Sequence, residues 1–155
     1  VRVLLLAALA FVAAGPAPAA EITAFISGAG PGEAWSTGYG GMLTITLFNI
    51  VGAEVEGAWQ GGSLPDTSLF TLSGKAYLGP SIGRFVPYVG LGAGGYRESY
   101  PAGSDTGTVG SVFVGAKLKF PFGLVIRGEY QWISLPMAAP IGLDSRYFVG
   151  AGLGF

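Results

Sequence analysis

Eight charged residues recur at alternate positions of short, otherwise apolar stretches: Glu54 and Glu56, Lys75, Lys117 and Lys119, Arg127 and Glu129, and Arg146. Carboxylates, ammonium groups and guanidinium groups on one face of a set of strands have one chemistry readily open to them, which is to pair. On a solvated face such charges stay hydrated. Inside an enclosed space they must find partners, because an unpaired buried charge is strongly unfavourable. Bulky aromatics share their parity: Phe25, Tyr77, Tyr88, Phe113 and Phe148.

Catalysis finds little to work with. The chain has no His and no Cys. Imidazole general bases, thiolate nucleophiles, disulfides and Cys/His metal sites are therefore excluded. Serine hydroxyls without a base read as solvent-facing or lining groups, and the chain is read as a non-enzyme with no cofactor and no metal. Gly90, Gly92 and Gly95 satisfy G-x-G-x-x-G, but a dinucleotide site needs a helix opening within that motif. Here Tyr96, Pro101 and a Gly/Ser/Asp stretch follow, so the glycines are read as making room for large side chains opposite. Net charge is −1, with no basic block, which argues against nucleic acid as a partner.

The elements that must position these residues are strands. From Glu21 onward the chain alternates with a period of two, which sends successive side chains to opposite faces. Eight such segments can be drawn: Ile22 to Gly28, Tyr39 to Leu47, Val51 to Gln60, Leu69 to Leu78, Phe85 to Tyr96, Thr108 to Phe120, Leu124 to Ser134, and Arg146 to Phe155. In the seventh, Leu124, Ile126, Gly128, Tyr130 and Trp132 oppose Val125, Arg127, Glu129 and Gln131. The hydrophobic share is 50% and the charged share 11%, yet past the N-terminus no apolar run reaches the ~18 residues of a spanning helix. Tilted strands of about 9–11 residues with apolar groups outward resolve that combination.

Connections alternate in length. Short ones fall at Phe48 to Ile50, Gly79 to Arg84 and Pro121 to Gly123. Longer ones fall at Ala29 to Gly38, Gly61 to Ser68, Arg97 to Gly107 and Leu135 to Ser145. The carboxylates Glu33, Asp66, Glu98, Asp105 and Asp144 then lie in the longer loops. Outward aromatics sort into two groups, Tyr39, Trp59, Tyr130, Trp132 and Tyr147 near the long connections and Phe85, Phe120 and Phe155 near the short ones. Two aromatic belts are what the two edges of a bilayer select. At the N-terminus, Arg2, the apolar run Val3 to Ala14 and Ala17-Pro18-Ala19 read as a secretory signal peptide, residues 1–19, cleaved before a single domain of residues 20–155. The expected fold is all-β: an eight-stranded antiparallel up-and-down transmembrane β-barrel.

The run Pro87-Tyr88-Val89-Gly90-Leu91-Gly92-Ala93-Gly94 resembles the P-Y-x-G-x-G-x-G strand of the outer-membrane β-barrel domain family, the small eight-stranded barrels of the OmpA/OmpX type. The terminal alternation of Tyr147, Val149, Leu153 and Phe155 resembles the C-terminal signature read by the barrel-assembly machinery. The resemblance implies a location in the bacterial outer membrane. It also implies contact with membrane lipid and lipopolysaccharide, and passage through periplasmic chaperones and the assembly machinery. It implies no particular ligand for the external loops. Their carboxylates are read as solvated in preference to holding a divalent cation with lipopolysaccharide phosphates. Two roles follow: a structural or surface-interaction protein acting through its loops, and a narrow porin-like channel. An eight-stranded barrel is just wide enough to be filled by side chains. Counting from the short-turn edge therefore predicts a lumen network in which Glu54, Glu56, Lys75 and Arg127 meet across the axis and Lys117 reaches Glu129 diagonally.

Overall fold

The computed structural model describes residues 19–30, 35–62, 65–134 and 145–155, with the side chain of Trp35 left aside. Residues 1–18 of the proposed signal peptide and the loop acids Glu33 and Asp144 lie outside the described residues, and Ala19, the last residue of that peptide as read, is the first of β1. Eight strands form one closed antiparallel barrel in sequence order: β1 Ala19–Ala29, β2 Trp35–Leu47, β3 Val51–Gly62, β4 Ser68–Leu78, β5 Phe85–Tyr100, β6 Gly103–Lys119, β7 Leu124–Ser134 and β8 Ser145–Gly154. Closure is made by β1 and β8, which pair from Glu21↔Gly154 to Ala29↔Arg146. Closing the sheet removes the unpaired edges that an open sheet would present.

Burial follows the strand period. In β7, Val125, Arg127, Glu129, Gln131 and Ile133 are buried, while Leu124, Ile126 and Trp132 are exposed. Across the middle of the barrel the exposed set is apolar, including Ile26, Leu72, Leu91, Val112 and Val149, with polar exposed residues such as Thr37, Arg97 and Thr106 toward the loop-side rim, and the buried set is mixed and charged. That is the reverse of a soluble domain, where large apolar side chains lie inside.

Turn chemistry sets one rim. Phe48 and Asn49 both have positive φ (54° and 57°), and Ile50 N–H donates to Leu47 O at 3.2 Å. Two consecutive positive φ values make the type I′ turn whose twist suits a tight hairpin. Phe122 and Gly123 repeat the sign at the β6–β7 connection. Both described chain ends share this rim, where Ala20 and Phe155 exchange backbone hydrogen bonds of 3.0 and 2.9 Å.

The opposite rim departs from expectation in one place. Arg97 to Gly107 is not a long loop. Pairing continues through Glu98↔Asp105 to Tyr100↔Gly103, leaving only Pro101 and Ala102 to turn. Strand pairing needs backbone donors and acceptors and not apolar alternation, so polar Gly/Ser/Asp/Thr sequence extends the hairpin past the end of the hydrophobic pattern. Glu98 and Asp105 therefore stand on strands, facing each other, rather than in a loop. Trp35 to Gly38 likewise belongs to β2, with a register irregularity between Trp35 and Gly38.

Large inward rings are seated over glycines directly across the ladder. Phe25 pairs with Gly40, Tyr77 with Gly52, Tyr88 with Gly115 and Phe113 with Gly90. A Cβ on Gly52 would lie 2.0 Å from the Tyr77 ring, and one on Gly90 would lie 2.4 Å from Phe113. These glycines supply the space in which rings lie flat across a narrow interior. The cost of Gly in a strand is thereby tied to packing.

Candidate functional site: an ion-paired lumen

The inward faces of the strands converge on a single chain of charges. Glu21 of β1 meets Lys117 of β6 at 3.3 Å, and Lys117 meets Glu54 of β3 at 3.7 Å. Glu54 takes the Arg127 guanidinium of β7 in a two-pronged contact, with one N···O distance of 2.8 Å. Arg127 also contacts Glu129, Glu129 contacts Lys75 of β4, and Lys75 reaches Glu56 of β3 at 2.8 Å. Glu56 then pairs with Arg146 of β8. Seven ion pairs thus link eight residues in strictly alternating sign, acid first and base last, from the short-turn rim toward the other. Four carboxylates balance four cations.

Neutral groups complete the network. Arg127 Nε donates to the Tyr88 hydroxyl at 2.6 Å, and that hydroxyl donates to Glu129 at 3.0 Å. Thr44 donates to Glu54 at 3.0 Å, Gln131 to Glu56 at 3.1 Å and to Glu129 at 2.6 Å, and Arg146 to the Gln131 carbonyl at 2.6 Å. Tyr88 brings in β5 and Thr44 brings in β2, so every strand contributes a group. Aromatic faces take up the remaining surface of the cations. Lys75 lies 4.2 Å from the Phe113 ring centre, Arg127 4.7 Å from Tyr88 and Lys117 4.8 Å from Tyr77. Such contacts strengthen when desolvated. Phe25 stacks on Phe148 with ring centres 4.5 Å apart. Arg127 and Phe113 are each 0% exposed.

The structure brings together Glu54, Glu56, Lys75, Arg127, Glu129, Lys117 and Arg146, with one change of partner. Lys117 does not reach Glu129. Its register partner is Arg127, whose guanidinium occupies the approach to Glu129, and Lys117 instead joins Glu21 and Glu54. Lys119 stands apart. It is half-buried at the short-turn mouth with Glu21 and Thr46, and forms no ion pair among the described residues. Glu21, Tyr88, Thr44 and Gln131 are network members that the charge pattern did not single out. Glu21 could have been found by extending the first segment one residue, since it shares parity with Thr23 and Phe25.

The outer surface carries the remaining candidates. Tyr39, Trp59, Phe85, Phe120, Trp132 and Tyr147 are exposed, and Tyr130 is half-buried. Tyr39 packs beside Trp59 at 5.2 Å, and Tyr130 packs edge-on to Trp132 at 4.9 Å. Phe70, which the sequence reading passed over, is the ladder partner of Trp59 and is equally outward. Tyr147, Val149, Leu153 and Phe155 form one exposed row along β8 and the residue that follows it.

Chemically, the lumen holds charge in place. Each of its four carboxylates already accepts from a cation.

No protein-family model and no curated protein sequence matches the chain. Solved structures do. The N-terminal β-barrel domain of Pseudomonas aeruginosa OprF superposes with a TM-score of 0.65 at 17% identity, covering 88% of this chain and 97% of that one. Neisserial surface protein A gives 0.64 at 13% identity, with 88% and 94% covered. Ail, the attachment invasion locus protein of Yersinia pestis, solved with the heparin analogue sucrose octasulfate, gives 0.55 at 16% identity, with 89% and 99% covered. At such identities a shared architecture is what the likeness establishes, and the chain has the fold of the small eight-stranded outer-membrane β-barrels.

Proposed function

We propose that this protein is an integral outer-membrane β-barrel with a filled lumen, serving a structural or surface-interaction role through its external loops. The observation that carries the reading is the alternating chain of eight buried charges, joined to an exterior with a broad band of exposed apolar side chains. A bilayer accepts such an exterior, and a closed barrel is the β-structure that can span it. The exposed aromatic groups near the two rims suit the two interfaces, and the β8 row ending at Phe155 suits recognition by the assembly machinery. Lipid and lipopolysaccharide are then the standing partners, with periplasmic chaperones encountered on the way.

A packed lumen predicts no steady ion current. Purified protein refolded into planar bilayers should give no resolved channel steps, while cell fractionation should place it in the outer membrane. Stable, voltage-independent steps from the wild-type protein would overturn the filled-lumen role in favour of a narrow channel.

A further inference from the structure

Above the network, the β5–β6 hairpin carries two carboxylates directly opposite each other, Glu98 and Asp105. Arg97 between Tyr96 and Glu98 is exposed on the outward face, which ends the apolar band of β5 and puts the pair beyond it. Both acids share the inward side with Tyr96, Gly107 and Val109. Glu98 is 2% exposed, and its Oε1 has no hydrogen-bond partner. Asp105 is half-buried, with Oδ1 accepting from the Thr106 N–H at 2.8 Å. Neither carboxylate has an ion pair among the described residues, in contrast to every carboxylate of the lumen network.

Like charges directly across a ladder destabilise it, and a buried carboxylate without a partner is rarer still. On the same row of the barrel, two strands from Glu98, Gln60 is buried with its Oε1 also unpartnered. The Gln60 amide nitrogen donates to Ser36 O at 2.9 Å, which turns the oxygen to the other side of the amide. The unmet groups here are oxygen acceptors. Hard divalent cations take such ligands, completing their shell with water.

We infer that Glu98 and Asp105 form a divalent-cation site, calcium by preference, at the loop-side mouth of the barrel. Calcium tolerates irregular oxygen sets of six to eight ligands, whereas magnesium demands near-ideal octahedral geometry. Two carboxylates from paired strands, supplemented by water, suit the former. Bound cation would pin the tip of the longest hairpin and relieve the repulsion between its two acids. This inference does not depend on whether the lumen conducts.

The test uses the full chain refolded in phosphatidylcholine vesicles, stripped with EDTA and titrated with CaCl2. Affinity belongs in the range of extracellular calcium modules, roughly 0.1–1 mM. Tb3+ luminescence, sensitised by the Tyr96 ring on the same face, reports occupancy and should be displaced by CaCl2. Glu98→Gln and Asp105→Asn should each weaken CaCl2 binding by about tenfold or more. In EDTA, Glu98→Gln should melt no lower than the wild type, because it removes an unpaired charge. With CaCl2 present, the wild type should melt higher than the variant. That reversal of order shows that the variant folds and that the effect belongs to the cation. Wild-type protein without saturable CaCl2 binding, or binding that both substitutions leave unchanged, would overturn the site.

Discussion

Arg127 is the residue whose removal should be felt most. It is fully buried, takes Glu54 with two nitrogens, contacts Glu129 and donates to Tyr88. Two unit charges about 4 Å apart at an effective dielectric of 20 attract by roughly 4 kcal/mol, so the two carboxylates together give about 8 kcal/mol of gross attraction. Desolvating the guanidinium offsets several kcal/mol of that. Arg127→Ala therefore leaves Glu54 with Lys117 at 3.7 Å as its remaining ion-pair partner and the Thr44 hydroxyl as a neutral donor, and leaves the network one negative charge in excess. The expected loss is about 3–5 kcal/mol, reduced by whatever water enters the vacated space. Denaturant unfolding in detergent, followed by Trp fluorescence, measures it. Arg127→Lys keeps the charge but loses the fork and should fall between. The double variant Arg127→Met with Glu54→Gln should recover much of the loss, because both charges leave together. A destabilisation of less than about 1 kcal/mol for Arg127→Ala, with no coupling to Glu54 in the double-mutant cycle, would refute the network as a stabilising core.

The two faces of the barrel should tolerate charge unequally. Gly128→Arg and Ala116→Lys, both outward, should cost roughly 2–4 kcal/mol of folding in lipid at mid-bilayer depth, whereas the inward Ser73→Lys beside Glu56 should be milder, as equilibrium folding into vesicles would show. Glycines should divide by what they face: Gly52→Ala forces a Cβ against the Tyr77 ring and should destabilise by about 1–3 kcal/mol, while Gly74→Ala enters open space and should be neutral or stabilising by thermal unfolding. Deleting Phe155 should lower the folded, heat-modifiable fraction recovered in membranes, and an unchanged yield would remove its role in assembly.

Strand parity was legible because side-chain direction in a strand repeats every two residues, and β7 from Leu124 to Ser134 shows the repeat without interruption. The face on which Arg127 and Glu129 lie follows from that count. Partner choice does not. Lys117 could be placed near Glu129 by height, but its side chain competes with Arg127 for the same space, and only the packed arrangement settles which cation yields. Tyr88 was visible as a bulky inward ring, yet its bridge between Arg127 and Glu129 depends on Gly115 opposite, whose missing Cβ lets the ring lie down. The reach of the β5–β6 hairpin was hidden for another reason. Its tip is polar on both faces, so pairing there leaves no hydrophobic signature, and Glu98 and Asp105 read as loop residues.

The absence of cysteine allows single nitroxide labels to be placed one at a time along β7 of the protein in lipid vesicles, and their accessibility to dissolved oxygen and to a water-soluble nickel chelate to be compared. Labels at Ile126, Gly128 and Trp132 should favour oxygen, with the preference greatest at Gly128, the position farthest from the ends of β7. Labels at Val125, Gln131 and Ile133 should be poorly accessible to both reagents, as in a dry, packed core. Alternation of oxygen access with a period of two, without chelate access on the inward positions, is the result this account predicts. Strong chelate access at Val125, Gln131 and Ile133 would mean a water-filled lumen, and chelate access at Ile126, Gly128 and Trp132 would mean that the apolar face does not meet lipid.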